Sequence, residues 1–381
     1  MDILHYTDAH EEFRHRLRTF CENEITPFVD EWEKDHIVPK HAWKRMGEEG
    51  FLCTAVSETY GGQGKDFLYS VIVAEELART NHTGLAAPLH SDIVVPYIES
   101  YGSEAIKKRF LPGCVSGDTI TAVAMTEPDA GSDLAAMTTT AVEDGDEVEI
   151  NGSKTFITNG INADLVVVAA VDPSVDNPHQ AVSLYLVKDG TPGFERGRRL
   201  EKMGFHSQDT AELFFNKCRI PVENRLGEKN MGFIMLMEKL QQERLICAVM
   251  AQFAVELIVE KVTEYLKTAK DAVGKPLSKY QATNFALVEM ATEAKIGRTF
   301  MEKLVAEHME GRDVVMETCM AKYWHTDLTQ TVANRALDLI GEEAAAERSL
   351  ILRGWRDLRV LPIFAGTNEI MKMVVGRMLQ L

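Results

Sequence analysis

The chain changes character twice along its length, and this limits the folds open to it. Residues 1–118 and 226–381 carry apolar residues at helical spacing, whereas residues 119–225 hold short segments rich in Val, Ile, Phe and Thr. No helix-length stretch separates those short segments, so they do not alternate with helices as strands of a parallel α/β sheet do. We therefore predict an α+β protein with an N-terminal helical domain (1–118), a middle antiparallel β domain, as a sheet or barrel (119–225), and a C-terminal helical domain (226–381).

The positions of turn residues and the spacing of apolar residues predict the individual strands and helices. Strands are predicted at 121–125, 147–150, 164–170, 181–187 and 211–215. Helices are predicted at 11–21, 41–49, 68–79, 235–267, 279–308, 313–340 and 367–381.

Charge and cysteine usage exclude several classes of protein. The formal net charge is −17 at pH 7, which argues against a nucleic-acid partner because phosphates are neutralised by Lys and Arg. A local basic patch or a helix N-terminus can still hold a small anionic ligand. The six cysteines form no CxxC pair and no His/Cys cluster, so a reducing compartment and no metal site are expected.

Targeting signals and the common catalytic motifs are missing from the sequence. The N-terminus has neither the basic start of a signal peptide nor the Arg-rich composition of a transit peptide, and no apolar run is long enough to span a membrane. We therefore expect a cytoplasmic protein with no membrane partner. The absence of GxGxxG, P-loop, GxSxG and HExxH patterns excludes the common nicotinamide dehydrogenases, kinases, hydrolases and metalloproteases.

Six segments, in the same order along the chain, resemble the acyl-CoA dehydrogenase family. They are AMTEPDAGSD (124–133), KTFITNG (154–160), KMG (202–204), DTAEL (209–213), RD (356–357) and AGTNEIM (365–371). The likeness is nearest to the long-chain and branched-chain members. It implies that the C-terminal domain is a four-helix bundle and that FAD lies between this bundle and the β domain. It also implies an acyl-CoA substrate desaturated between its α and β carbons, an electron-transfer flavoprotein as electron acceptor, and a homotetramer.

The first motif has the chemistry that a flavin site requires. Met125 and Thr126 end a predicted strand and can offer N–H groups and a hydroxyl to the polar edge of a flavin. The turn at Gly131 and Ser132 lets the backbone approach a phosphate or pantetheine closely, although a plain β-turn is the alternative. By resemblance, cofactor binding extends to Phe156, Thr158, Lys270, Asp338, Thr367 and Glu369.

The reaction needs a carboxylate against the acidified α carbon, and burial raises a carboxyl pKa towards the working range. Family members carry this glutamate at one of two positions. The first is Ala365 here, which cannot accept a proton, and the second matches Glu243. Glu243 shares a helix stripe with Leu236, Leu240, Cys247, Met250 and Ala254. A carboxylate on such a stripe is unfavourable unless it is paired or functional, so we predict Glu243 as the base, with a salt-bridged glutamate as the alternative.

The resemblance also assigns residues to the thioester. It places Ser132, Arg244, Ala365 and Gly366 against the substrate. In this arrangement the Ala365 N–H donates to the thioester oxygen and stabilises the enolate-like charge.

Some cofactor positions depart from the family pattern. Lys270 stands where Arg is usual, which keeps the charge for a pyrophosphate but loses the bidentate fork. Asp338 and the segment 341–344 stand where Gln and a Gly-Gly-x-Gly are usual. The two glutamates in that segment would repel a dinucleotide, so we expect a rebuilt neighbour-subunit half of the FAD site.

Asp92 suggests an alternative substrate. It stands where relatives carry a small or neutral residue on a helix that lines the acyl pocket, and its own neighbours also allow a solvated surface position. If Asp92 faces the pocket, it disfavours a long alkyl tail and suits an alicyclic acyl group. There it would act as a second base beyond the α carbon.

Two further functions remain open from the sequence. One is a flavoprotein acyl-CoA oxidase, because oxygen reactivity depends on flavin exposure. The other is a flavin-poor acyl-CoA-binding protein, which the altered 338–344 region suggests. Oxygen consumption separates the first from a dehydrogenase, and a sample that stays colourless with FAD identifies the second.

Overall fold

The N-terminal part of the chain is helical, as predicted. The computed structural model describes residues 3–82, 84–341 and 350–381. The helices before the sheet are α1 (Asp8–Phe20), α2 (Val29–Asp35), α3 (Lys40–Glu48), α4 (Phe67–Arg79), α5 (Val95–Tyr101) and α6 (Glu104–Ser116). A π-helical turn, Leu89–Val94, leads directly into α5. α4 is buried over almost its whole length, which explains its apolar sequence and makes it the centre of this domain.

The middle part is a β-sheet. Its strands are β1 (Thr121–Ala124), β2 (Thr140–Asp144), β3 (Glu147–Thr158), β4 (Leu165–Val171), β5 (Val182–Lys188), β6 (Phe194–Arg199), β7 (Thr210–Pro221) and β8 (Arg225–Leu226). Seven of them run in the order β6-β7-β3-β2-β4-β5-β8 within the described residues. The long strands β3 and β7 pair antiparallel, as do β4 and β5.

The pairings of β4 with β1 and β2 depart from the antiparallel prediction. β1 pairs with β4 in parallel, with Thr121 opposite Leu165, and β2 meets β4 in parallel at a single pair. A parallel pairing needs a long connection, and the strands β2 and β3 lie between β1 and β4 along the chain. The segments that form β1 and β4 were correctly predicted as strands. The direction in which they pair depends on the chain that connects them, and the segments themselves do not specify it.

Where the structure describes it, the C-terminal part contains the four predicted helices and one additional helix. They are α7 (Gly232–Thr268), α8 (Gln281–Met309), α9 (Val315–Ile340), the additional α10 (Leu350–Asp357) and α11 (Asn368–Met378). α7 has 37 residues, so it is long enough to contact both helical domains. Its middle packs with α4 around Val71 and Leu245, and its later turns pack with α9 around Val262 and Val332.

No helix within residues 3–82, 84–341 and 350–381 has both the length and the apolar character that a membrane span requires.

Candidate active site

Glu243 lies near the first third of α7, where the two helical domains meet. Its side chain is 3% exposed, and the Tyr97 hydroxyl of α5 donates to its Oε1 at 2.6 Å. Burial raises the pKa of Glu243 to about 7, against the opposing effects of Tyr97, Arg244 and Lys239. A carboxyl with such a pKa can gain or lose a proton near neutral pH.

Arg244, the next residue of α7, is also buried. One of its terminal nitrogens donates to the Cys319 Sγ of α9 at 3.2 Å, and its Nε has no partner within the described ranges. A buried guanidinium that is bonded only to a thiol has an unused donor. That donor is available to an oxygen of a ligand.

The turn that contains Ala365 and Gly366 lies beside the same helices. Both residues have positive φ, 52° and 86°, a backbone conformation that turns their N–H groups away from the preceding chain. The buried Lys322 of α9 donates to the Gly366 carbonyl at 2.7 Å. Lys322 is also within electrostatic range of Cys247, one helical turn after Glu243. Lys322 of α9 therefore links the turn to the part of α7 that follows Glu243.

Thr367 and Asn368 fix the end of that turn. The Thr367 side chain caps α11 by accepting from Ile370 N, and Glu369 lies exposed in the first turn of that helix. The buried Asn368 accepts from Lys322 and donates to Asp327. These bonds hold the loop in place, so the N–H groups of Ala365 and Gly366 have fixed positions.

A buried ion pair organises the loop after β1. Lys154 of β3 is fully buried, and its Nζ donates to Glu127 at 2.8 Å and to the Met125 carbonyl at 3.1 Å. The Thr155 N–H donates to the Thr126 carbonyl at 2.9 Å. Met125 and Thr126 are therefore fixed against β3, each half-buried.

Phe156 presents a large apolar surface beside this loop. Its ring is 69% exposed and its φ is 57°, which is an unusual backbone conformation for an aromatic residue. Thr158, two residues on, is half-buried and pairs with Thr210 of β7. An exposed ring on a bulged strand is suited to a planar apolar ligand.

The remaining predicted cofactor residues lie on the surface. Gly131 and Ser132 are exposed in the loop after β1, Lys270 is exposed between α7 and α8, and Asp338 is exposed near the end of α9. The structure does not bring these positions into contact with one another within the chain. The predicted departures at 342–344 lie outside the described residues.

Asp92 lies in the π-helical turn before α5 and is 5% exposed. The solvated surface position considered for this residue is therefore wrong, because the turn rotates the side chain inward. Its Oδ1 accepts from Ser70 at 2.5 Å, and burial raises its pKa to about 7. A cavity of about 260 Å³ lies against it, bounded by α4, α5, α7 and the end of α8. Gln242, beside Glu243, also lines this cavity and donates to the Asp92 carbonyl at 2.7 Å.

Sequence reasoning missed three residues of the site. Tyr97, Lys322 and Asn368 reach Glu243 or the Ala365 turn across long sequence separations. Lys322 and Asn368 lie at apolar helix positions, where a polar side chain signals a paired or functional group. The spacing of Tyr97 and Tyr101 by one helical turn is the only sequence signal for Tyr97.

Comparisons with known proteins agree with this geometry. Three family descriptions match the chain in order: "Acyl-CoA dehydrogenase, N-terminal domain" at residues 7–118, "Acyl-CoA dehydrogenase, middle domain" at 122–218, and "Acyl-CoA dehydrogenase, C-terminal domain" at 230–380. The mitochondrial long-chain specific acyl-CoA dehydrogenase of Sus scrofa is 42% identical over 98% of this chain and 86% of its own length.

Solved structures give the same result. An acyl-CoA dehydrogenase from Geobacillus kaustophilus superposes with a TM-score of 0.96 at 50% identity and covers 99% of both chains. A chain in the structure of the electron transferring flavoprotein of Acidaminococcus fermentans superposes with a TM-score of 0.94 at 32% identity, over 100% of this chain and 99% of that one. The chain belongs to the acyl-CoA dehydrogenase family, whose members are oxidoreductases that carry out FAD-dependent dehydrogenation of acyl-CoA thioesters.

Proposed function

We propose that this enzyme desaturates an acyl-CoA thioester between the α and β carbons, with Glu243 as the base. The observation that carries the proposal is the Glu243 carboxylate itself. It is buried on an apolar helix, its pKa is raised to about 7, and the second family position for a base is Ala365. A buried carboxylate that titrates near neutral pH is what α-proton abstraction needs.

The surrounding groups support this assignment. The α C–H bond breaks and the proton moves to Glu243, while the Ala365 N–H donates to the thioester oxygen and stabilises its growing negative charge. Arg244 has a free Nε beside the base and orients the substrate from that side. The positive charge of Arg244 also favours the ionised carboxylate before the reaction.

The residues present fit FAD. When bound, FAD supplies the acceptor for the β hydride. The exposed Phe156 ring would cover one face of its flavin, and Met125, Thr126 and Thr158 would bond the polar edge. Gly131, Ser132, Thr367 and Glu369 would serve the phosphates and ribityl chain. We assign Lys270 and Asp338 to the FAD of a neighbouring subunit in a homotetramer, because both are exposed in this chain.

The partner that takes the electrons is proposed to be an electron-transfer flavoprotein. Turnover with such a flavoprotein and without oxygen consumption supports a dehydrogenase. Equal rates of oxygen consumption with and without it would identify an oxidase.

Replacing the base tests the proposal directly. Glu243→Gln keeps the size of the side chain but cannot take the proton, so exchange of the substrate α proton with deuterated water should fall at least about a thousandfold. The flavin absorbance of the purified variant should match the wild type. Exchange at a wild-type rate would reject Glu243 as the base.

The second candidate function is the dehydrogenation of an alicyclic acyl-CoA with Asp92 as a further base. The burial of Asp92, its pKa of about 7 and its adjoining cavity favour this candidate. Asp92→Asn should then reduce turnover of ring-shaped acyl-CoA substrates about a hundredfold or more and leave straight-chain turnover within about threefold.

Glu99→Gln provides the matched control for this test. Glu99 lines the same cavity but bonds the Ser57 N–H and is more exposed, so its replacement should leave both substrate classes unaffected. If straight-chain substrates are turned over well and Asp92→Asn has no effect on any substrate, the alicyclic candidate is wrong.

A further inference from the structure

A hydrogen bond joins Tyr97 and Glu243 at the junction of the two helical domains. The Tyr97 hydroxyl donates to Oε1 of Glu243 at 2.6 Å, and both side chains are buried. A hydroxyl that donates to a carboxylate forms a charge-assisted bond, which is stronger than a bond between neutral groups. The contact therefore fixes one oxygen of the carboxylate and the orientation of its plane.

Several other titratable or charged groups surround Glu243 without bonding to it. They are Lys239, Arg244 and Cys247 on α7. The elements packed near them also carry titratable groups, which bond to other residues: Tyr101 on α5, Asp92 before α5, and Cys319 and Lys322 on α9. Within the parts of the chain that the structure describes, Tyr97 is the only side chain that donates a hydrogen bond to the Glu243 carboxylate. The orientation of the base therefore depends on this hydroxyl.

We propose that Tyr97 is a positioning residue, which holds Oε1 of Glu243 so that Oε2 receives the α proton of the acyl thioester. The proposal rests on the proposed function of Glu243. The α C–H bond breaks and an O–H bond forms at Oε2. The electron pair of the broken bond becomes the second bond between the α and β carbons, as the β hydride leaves with its two electrons to FAD. Tyr97 neither gains nor loses a proton.

The same bond has a consequence for the pH dependence of the reaction. Burial raises the pKa of Glu243, and the Tyr97 hydrogen bond opposes that rise because it stabilises the charged form. Without the hydroxyl the pKa rises further. Because the base works only when ionised, the increase in activity with pH then occurs at higher pH. Below the pKa, each unit of this displacement lowers the rate about tenfold.

The chain offers a matched control one turn along α5. The Tyr101 hydroxyl donates to Glu238 of α7, so it makes the same kind of contact between the same two helices. Glu238 is exposed, and neither residue is assigned to the site. Tyr101→Phe therefore removes an equivalent bond between α5 and α7 without touching the base.

The test compares the FAD-loaded wild type with Tyr97→Phe and Tyr101→Phe. We would measure kcat and KM between pH 5 and pH 9 with one acyl-CoA substrate and an artificial electron acceptor. For Tyr97→Phe, the acidic limb of kcat should move up by about one pH unit, with kcat at pH 6 about tenfold lower and KM within about twofold. For Tyr101→Phe, the profile should match the wild type.

An unchanged acidic limb in Tyr97→Phe, or the same displacement in Tyr101→Phe, would overturn the proposal. A second variant keeps the test valid if Tyr97→Phe folds poorly. 3-Fluorotyrosine at position 97 keeps the ring and is a stronger hydrogen-bond donor, so the acidic limb of kcat should move to lower pH. No displacement there would also overturn the proposal. The Glu243→Gln exchange experiment separates this failure from that of the proposed function, because it tests the base without reference to Tyr97.

Discussion

Glu243 and Asp92 are two buried carboxyl groups with different surroundings. Burial raises the pKa of each to about 7. Glu243 has the positive charges of Lys239 and Arg244 nearby, whereas the opposing contribution at Asp92 comes from the Ser70 hydroxyl. The two carboxyl groups therefore reach a similar pKa in different ways: nearby positive charges offset part of the effect of burial at Glu243, and a neutral hydroxyl does so at Asp92.

The position of Ala365 complements the position of Glu243. A carboxylate at both family positions would place two like charges around one carbon, and one of them would then be protonated. Ala365 instead contributes only its backbone, in a turn that Lys322 and Asn368 hold. In the proposed mechanism, a helix residue therefore takes the proton and a loop N–H group stabilises the thioester oxygen.

At the scale of elements, the loop after β1 depends on the pair of Lys154 and Glu127. Glu127 accepts from the backbone N–H groups of Thr138 and Thr139 as well as from Lys154. Burial would raise the pKa of Glu127, but these donors outweigh it and lower the pKa to about 2. Burial dominates at Lys154 and lowers its pKa to about 8, because the hydrogen bond and charge of Glu127 offset only part of the lost solvation. The charged form of Glu127 is therefore stabilised more fully by its surroundings than the charged form of Lys154.

Removing the charge of Glu127 should loosen this loop. Glu127→Gln leaves the Lys154 ammonium buried without a counter-charge, which we expect to lower the free energy of unfolding by about 3 kcal/mol. FAD affinity should fall about tenfold or more, since Thr126 loses its fixed position. Chemical denaturation and flavin titration measure these effects.

An exposed ion pair provides the control for Glu127. Lys44 and Asp118 lie 2.7 Å apart with both side chains about half exposed, so Asp118→Asn should leave stability and FAD affinity almost unchanged. Equal losses in the two variants would show that the Lys154 pair does not order the loop.

The sequence predicts most helices and strands because their apolar residues recur at a clear helical or strand spacing. It misses elements whose sequence is short or polar and lacks such a spacing. Three strands were missed: Thr140–Asp144 inside the sheet, the charged edge strand Phe194–Arg199 and the two-residue edge strand Arg225–Leu226. β3 was predicted to end at Ile150, because the Asn-Gly-Ser sequence that follows is typical of a turn. The structure accommodates it as a bulge with Gly152 at φ 151°.

The features of the candidate site also differ in whether nearby sequence predicts them. The burial of Glu243 could be predicted from its apolar helix stripe, which is a property of nearby sequence. The contact with Tyr97 could not be predicted, since it depends on how α5 crosses α7. For Asp92, the π-helical turn decides which way the side chain points, and the sequence carries no clear signal for that turn.

At the scale of the whole molecule, buried polar contacts join the three domains. His90, before α5, donates through Nε2 to the Cys114 carbonyl, so its Nδ1 accepts from the Thr121 N–H of β1. His82 bonds the Ser207 hydroxyl of the middle domain at 2.6 Å. The Phe205 N–H of that domain donates to Asp357 of α10 at 2.7 Å. Packing and these bonds together set the relative positions of base, loop and strand.

These buried histidines make the stability of the molecule sensitive to acid. Burial lowers the pKa of both His90 and His82 to about 4, whereas a histidine in the unfolded chain titrates near 6.5. Below that value the unfolded chain binds protons that the folded chain does not. The free energy of unfolding contributed by each histidine is therefore fully present above about pH 6.5 and is lost as the pH falls to about 4.

His90→Gln tests this linkage by removing one of the two titrating groups. Between pH 7 and pH 4 the wild type should lose on the order of 3 kcal/mol of unfolding free energy through His90 alone. The variant should be less stable at pH 7 and have a shallower dependence on pH, as measured by urea denaturation at each pH. His41→Gln, at an exposed position of α3, should reproduce the wild-type slope. An unchanged slope in His90→Gln would mean that the contact between the N-terminal helices and β1 is not what makes the protein acid-sensitive.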